Sequence, residues 1–211
     1  MMARDTLRVA VLLSGEGTSL ENLFEQIESG ALDARIVAVI SSKERAGGLE
    51  RARRRGVPAL AVPRVQYRDP GDFNDAIHAE LDRHEVDLVA CLGFLSPFET
   101  RGKFDGRAIN VHPALIPAFC GKGYYGRRVH EAVLASGAPM TGATVHFVDA
   151  EYDCGPIILQ EEVAVRDDDT AASLAERVQA VERRLVPEAI QLFASDRLAI
   201  EGQKVQILPP A

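Results

Sequence analysis

With 211 residues, 46% of them hydrophobic and 26% charged, the chain falls among ordinary globular proteins and is long enough for one full-sized core. Its formal net charge of −7, from 24 Lys and Arg against 31 Asp and Glu, would repel a polyanion and argues against nucleic acid as a partner. No apolar run reaches the length of a membrane span, and Cys91, Cys120 and Cys154 are odd in number and lack CxxC spacing, so neither a disulfide framework nor a zinc site is indicated and a reducing cytoplasm is the expected compartment.

The opening MMARDTLRVAVLLSG has no apolar stretch ahead of a small-residue cleavage site, and residues 7–14 (LRVAVLLS) read as a buried strand. A glycine turn and an amphipathic stretch at 20–28 lead to a second buried strand, 34–41 (ARIVAVIS), which completes a βαβ unit. A charged helix over 49–55, a short strand over 59–62, a helix over about 73–84 and the apolar run 87–94 (DLVACLGF) continue the alternation. This pattern predicts an α/β chain with a mostly parallel twisted sheet and helices on both faces. After 109–117 (INVHPALIP) and a glycine-rich loop come a helix near 129–135, two strands joined by the loop 149–156, and a last helix from about 170 to 193 with Pro187 as a kink or break. Asp167 to Thr170 supply its capping groups and negative charge at the N-terminus. Ligands of such sheets sit beyond the carboxyl ends of the strands, which directs attention to Ser14 to Ser19, Ser41 to Lys43, Gly93 to Leu95 and 109–117.

The turn SGEGTS lies between a strand and a helix, where exposed amides and the helix dipole favour an anion. Gly15 and Gly17 allow close backbone approach, and Thr18 and Ser19 can add hydroxyl donors. Leu20 stands where a dinucleotide fingerprint has its third glycine, and the second strand ends in Ser41, Ser42 and Lys43 without the acid that holds a ribose hydroxyl of NAD. A phosphomonoester on a small substrate fits better than a dinucleotide; a tight turn that binds nothing has the same letters.

Asn110 and His112 stand two apart at a strand end, so their side chains point to one side, and Pro113 holds His112 extended. An amide N–H₂ and an imidazolium aimed at one oxygen would stabilise the alkoxide formed when an amine attacks a carbonyl, with a carboxylate keeping the ring charged. Asp149, Glu151 and Asp153 compete for that part. The plainer alternative makes Asn110 a turn cap, His112 a satisfied histidine and the acids a solvated loop. His146, in the alternating run TVHFV, reads as a strand residue, Cys154 as an ordinary thiol, and Arg51 to Arg55 as a solvated helix face.

Taken together and in order, SGEGTSL, the strand ending LGF, NVHPALIP, TVHFVDAEYDCGPIILQ and RVQAVERRLVP resemble the folate-dependent formyltransferases, and among these the glycinamide ribonucleotide formyltransferases. The resemblance implies the Rossmann-like formyltransferase fold as one domain over 1–211, with a phosphate-binding half about 1–106 and a catalytic and folate half about 107–211. It implies that 10-formyltetrahydrofolate donates a formyl group to the amine of glycinamide ribonucleotide in purine biosynthesis, without a metal, in a monomer or homodimer. Asn110 and His112 would polarise the formyl group, while Asp153 would keep His112 protonated and organise a water. Gly15, Gly17, Thr18 and Ser19 would take the substrate phosphate and Glu182 the ribose hydroxyls. The folate would meet Leu92, Gly93, Phe94, Leu95, Asn110, Asp149, Ala150 and Asp153.

Two segments depart from the pattern. Phe94 runs directly through Leu95 to Ser96-Pro97, omitting a short stretch that carries a basic residue in many relatives, and AFCGKGYYGRRVH replaces a proline-glycine and histidine-rich segment. Lys122, Tyr124 and Tyr125 read either as a substrate lid or as a surface loop. A formyltetrahydrofolate hydrolase and a non-catalytic nucleotide-binding module are the competing functions. The hydrolase relatives carry an added N-terminal regulatory domain, and methionyl-tRNA formyltransferase an added C-terminal one, which this sequence is not expected to contain.

Overall fold

The computed structural model describes residues 6–210 and resolves two compact units, 1–108 and 109–211. The signal-peptide reading rests partly on residues 1–5, which with residue 211 lie outside the described residues.

In the first unit, β1 (Leu7–Leu13) pairs in parallel with β2 (Ala34–Ser41) and β4 (Leu88–Cys91), and β2 pairs in parallel with β3 (Ala59–Ala61). The order is β3-β2-β1-β4. β1 lies between two strands, which is why its run from Val9 to Leu13 is apolar without alternation and fully buried. Helices α1 (Thr18–Glu28), α2 (Gly47–Arg54) and α3 (Pro70–Arg83) make the crossovers. Each begins two or three residues ahead of the stretch that periodicity marks, because its first turn is polar or glycyl. Asp69 caps α3 by accepting from the Gly71 N–H at 2.6 Å, with Pro70 at the first helical position.

The second unit has the order β5-β6-β7-β9-β8, from β5 (Ala108–His112), β6 (Met140–Phe147), β7 (Ile157–Ala164), β8 (Leu198–Glu201) and β9 (Lys204–Ile207). Here β5 and β6, β6 and β7, and β8 and β9 are antiparallel. The β7–β9 pair is parallel, and with the three parallel pairs of the first unit it gives the mostly parallel sheet that the sequence predicts. Between β5 and β6 lies α4 (Arg127–Ser136), and after β7 comes α5 (Ala171–Ala194). Thr170 and Ser173 form a reciprocal capping box at the start of α5. Pro187 sits inside α5 and does not break it. The β8–β9 hairpin has no counterpart in the sequence reading: its strands are four residues long and mostly exposed, so they carry little hydrophobic signal.

Candidate active site

The carboxyl ends of β1, β2 and β4 meet at Ser14. Its backbone N–H donates to the Gly93 carbonyl at 3.1 Å, its hydroxyl accepts from the Leu95 N–H at 2.9 Å, and that hydroxyl shares a 2.6 Å hydrogen bond with Ser42. The glycine turn and the Gly93–Leu95 segment are therefore joined, with Leu92 buried and Gly93 and Leu95 exposed. Gly17 takes the left-handed conformation (φ 72°) and caps α1 with no side-chain hydrogen bond. A Cβ there would lie 2.6 Å from the Cα of Gly48, so glycine is required twice over, for its dihedral and for the approach of α2. Thr18 and Ser19 follow as the first two helical residues, with the cap position taken by Gly17.

The expectation that Arg51 to Arg55 form a solvated face holds for Arg53 and Arg54 only. Arg51 and Arg55 are half-buried and both bind Glu21, at 3.0 Å and 2.5 Å, while Arg55 also covers the Phe24 ring at 4.6 Å. An acid on α1 is paired with one guanidinium on α2 and one just past its end, which composition cannot show.

In the second unit the strand register builds a polar cluster. Asn110 faces His146 and His112 faces Thr144 across the antiparallel β5–β6 pair, and directly opposed residues share a face. The Asn110 amide donates to His146 Nε2 at 3.1 Å and to Asp153 Oδ1 at 3.3 Å. His146 Nδ1 faces the Phe147 carbonyl at 2.8 Å, and its Nε2 lies 3.6 Å from Asp153 Oδ1. His112 lies with Nε2 2.8 Å from the Phe119 carbonyl and Nδ1 3.4 Å from Asp153 Oδ2. Asp153 also accepts from the Gly121 N–H at 2.9 Å. Among the three competing acids, Asp153 alone reaches His112; Asp149 and Glu151 are exposed.

Asp153 adopts a left-handed backbone (φ 56°), a conformation that aspartate tolerates better than most residues and that concentrates at functional sites. The turn around it is fixed by Gly155, where a Cβ would meet the Phe147 carbonyl oxygen at 1.9 Å. Phe147 N–H in turn donates to the Pro156 carbonyl at 2.9 Å.

Burial alone would raise the Asp153 pKa, but His146, His112 and the Gly121 amide more than offset it and hold the carboxyl below its ordinary value. For His112 the balance runs the other way. Burial lowers its pKa by more than Asp153 and the Phe119 carbonyl raise it, so the expectation of a raised pKa is corrected: desolvation of the ring outweighs its carboxylate neighbour. Both ring nitrogens nevertheless face acceptors, so a second proton finds a partner without rearrangement. A second difference concerns aim. The Asn110 and His112 donors are aimed at Asp153, the His146 ring and the Phe119 carbonyl instead of at one outside point.

Burial pushes Cys91 up to about 12, and burial together with neighbouring Glu151 raises Cys154, which is exposed. Tyr124 and Tyr125 are exposed, and Tyr124 meets the Phe119 ring edge-on at 6.4 Å. Among the described residues no group of three or more His, Cys, Asp or Glu is placed to hold a metal ion, and no helix is long and apolar enough to cross a membrane.

Glu182, half-buried on α5, has its carboxyl pushed up to about 7 by burial, which neighbouring Arg183 only partly counters. The folded chain therefore holds a proton that an unfolded one, with a value near 4.5, has released. Stability falls as pH rises through that window, and the penalty is complete above its upper end. Glu182→Gln is expected to raise Tm above pH 8 by about 2–4 °C, corresponding to roughly 1 kcal/mol after allowance for partial solvent screening. Melting curves at pH 4 and pH 8 check this; equal shifts at both would remove the ionisation argument.

A protein-family model described as Formyl transferase matches residues 7–190. The chain is 37% identical over 203 residues to a chloroplastic phosphoribosylglycinamide formyltransferase of Vigna unguiculata, covering 95% of this chain and 65% of that protein. It is 34% identical over 197 residues to the phosphoribosylglycinamide formyltransferase of Haemophilus influenzae, covering 92% and 90%. Among solved structures, glycinamide ribonucleotide transformylase 1 from Symbiobacterium toebii superposes with a TM-score of 0.91 at 41% identity, covering 97% of this chain and 95% of that one.

Proposed function

The chain belongs to the formyl transferase family, and on that footing we propose that it transfers the formyl group of 10-formyltetrahydrofolate to the amine of glycinamide ribonucleotide, releasing formylglycinamide ribonucleotide and tetrahydrofolate in purine biosynthesis. The observation that carries this reading is the placement of His112 between two acceptors, Asp153 and the Phe119 carbonyl, beside an amide donor on the same strand face.

In this reading the substrate amine forms a bond to the formyl carbon while negative charge gathers on the formyl oxygen. Asn110 exchanges one of its two protein acceptors for that oxygen and stabilises the charge. His112, favoured as the neutral ring at rest, takes the proton that the attacking nitrogen sheds and delivers it, directly or through a water ordered by Asp153, toward the folate nitrogen as its bond to the formyl carbon breaks. The low pKa of Asp153 keeps it ionised throughout, so it stabilises the imidazolium only when that forms. Gly15, Gly17, Thr18 and Ser19 hold the substrate phosphate, and Glu182 accepts from the ribose hydroxyls. Leu92 to Leu95 and the loop of Asp149, Ala150 and Asp153 receive the folate; the exposure of Gly93, Leu95, Asp149 and Ala150 suits this role. The donor set fits a co-substrate that needs a polarised carbonyl and a mobile proton.

Folate absorbance followed on mixing the protein with 10-formyltetrahydrofolate tests the reading. Tetrahydrofolate is expected only when the ribonucleotide is present, with the formylated product confirmed by mass. Equal release without ribonucleotide would make the protein a hydrolase, and no release under either condition would make it a binding module.

A further inference from the structure

Helix α2 touches the glycine turn through three contacts that the proposed chemistry has not used. The Gly48 N–H donates to the Gly15 carbonyl at 3.2 Å. Arg51 Nε donates to the Glu16 carbonyl at 2.8 Å, and the same guanidinium binds Glu21 on α1 at 3.0 Å. Gly17 and Gly48 meet backbone to backbone, since a Cβ on Gly17 would lie 2.6 Å from the Gly48 Cα. In a planar trans peptide the carbonyl of one residue and the N–H of the next point in opposite directions. Two successive carbonyls drawn toward α2 therefore turn the N–H groups of Glu16 and Gly17 away from it. The Gly17 carbonyl accepts from the Glu21 N–H at 3.0 Å within α1, which turns the Thr18 N–H out of that helix as well. No protein acceptor for these three N–H groups is found among the described residues.

We infer that Arg51, with Gly48, is a positioning residue for the ribonucleotide phosphate: it fixes the peptide planes of the turn so that three consecutive amides face the anion. The inference rests on the proposal that this turn takes the phosphate. Arg51 acts through hydrogen bonding and not as a counter-charge, because its own charge is already engaged by Glu21. The Glu16 side chain packs on Gly47, where a Cβ would come within 2.4 Å of Glu16 Oε2. The N-terminus of α2 favours a carboxylate there, which draws the one negative charge of the turn toward α2.

Steady-state kinetics on Arg51→Met and Arg51→Lys test this, since methionine keeps the aliphatic stem and lysine keeps the charge, while neither places a donor at Nε. Both are expected to raise KM for glycinamide ribonucleotide about tenfold, the worth of one hydrogen bond to a charged group, with kcat and the donor KM within about twofold of the parent. The inhibition constant of inorganic phosphate, competing against the ribonucleotide, is expected to rise in step. With glycinamide riboside, which lacks the phosphate, variants and parent are expected to coincide. An unchanged ribonucleotide KM in both variants, or an equal loss on the riboside, overturns the role of Arg51. Failure of inorganic phosphate to compete in the unaltered protein overturns the phosphate turn itself, so the two failures are distinct.

Discussion

His112→Ala is expected to lower kcat by about 10²–10⁴, the range over which a positioned acid–base group contributes, while inorganic phosphate still competes with the ribonucleotide. The ring is nearly fully buried, so its removal leaves a polar-lined void beside an ionised Asp153 that has also lost a stabilising neighbour. The melting temperature must therefore be measured beside the rate, and His112→Gln, which keeps volume and a donor, separates packing from proton transfer. A glutamine variant as slow as alanine with a parental Tm supports proton transfer by the ring; parental turnover in either variant removes His112 from the chemistry. Asp153→Asn takes away the carboxylate that raises the pKa of His112 and leaves its burial untouched, so the ring becomes still harder to charge. Its turnover is expected to fall in the same range.

Ser19→Asp is expected to raise KM for the ribonucleotide about 100-fold and leave the folate donor within about twofold. A carboxylate placed near a phosphate repels it by several kcal/mol at the effective dielectric of a protein surface, and partial exposure reduces this to about 3 kcal/mol. Ser19 is half-buried in the first turn of α1, where the dipole and the free amides would otherwise favour the anion. Titration of each substrate separately gives the answer, and equal weakening of both would show that the turn is not a dedicated phosphate site.

The parallel strands were legible because burial on both faces leaves an unmistakable mark: β2 coincides with its predicted bounds, and β1 differs by one residue. Asn110 and His112 were legible from the two-residue period of a strand and Asp153 only by family resemblance, since three acids of one loop are equivalent on paper. His146 escaped. Its place opposite Asn110 follows from the β5–β6 register, which depends on where a chain returning through α4 lines up its second strand. The alternating run TVHFV gave the right element, β6, but an alternating run cannot say which neighbouring side chain the His146 ring meets. The charge state of His112 was also beyond the sequence, because it is a contest between burial and one carboxylate. The C-terminal hairpin escaped for the opposite reason, having too little buried surface to leave a pattern, although Gly202 between two short alternating runs marks its turn.

The contact between Gly155 and the Phe147 carbonyl bears on how sequence variation in this family is to be weighed. Any side chain at that position would collide with backbone that cannot yield cheaply, so every chain that keeps this turn is held to glycine there whatever reaction it performs. Gly142, where a Cβ would come within 2.1 Å of the Glu161 carbonyl oxygen, is held in the same way. Invariance at such glycines would report the packing of the turn and of the strand pair. A relative could lose its activity and keep both, and the residues whose exchange marks a change of chemistry are those that face the cluster.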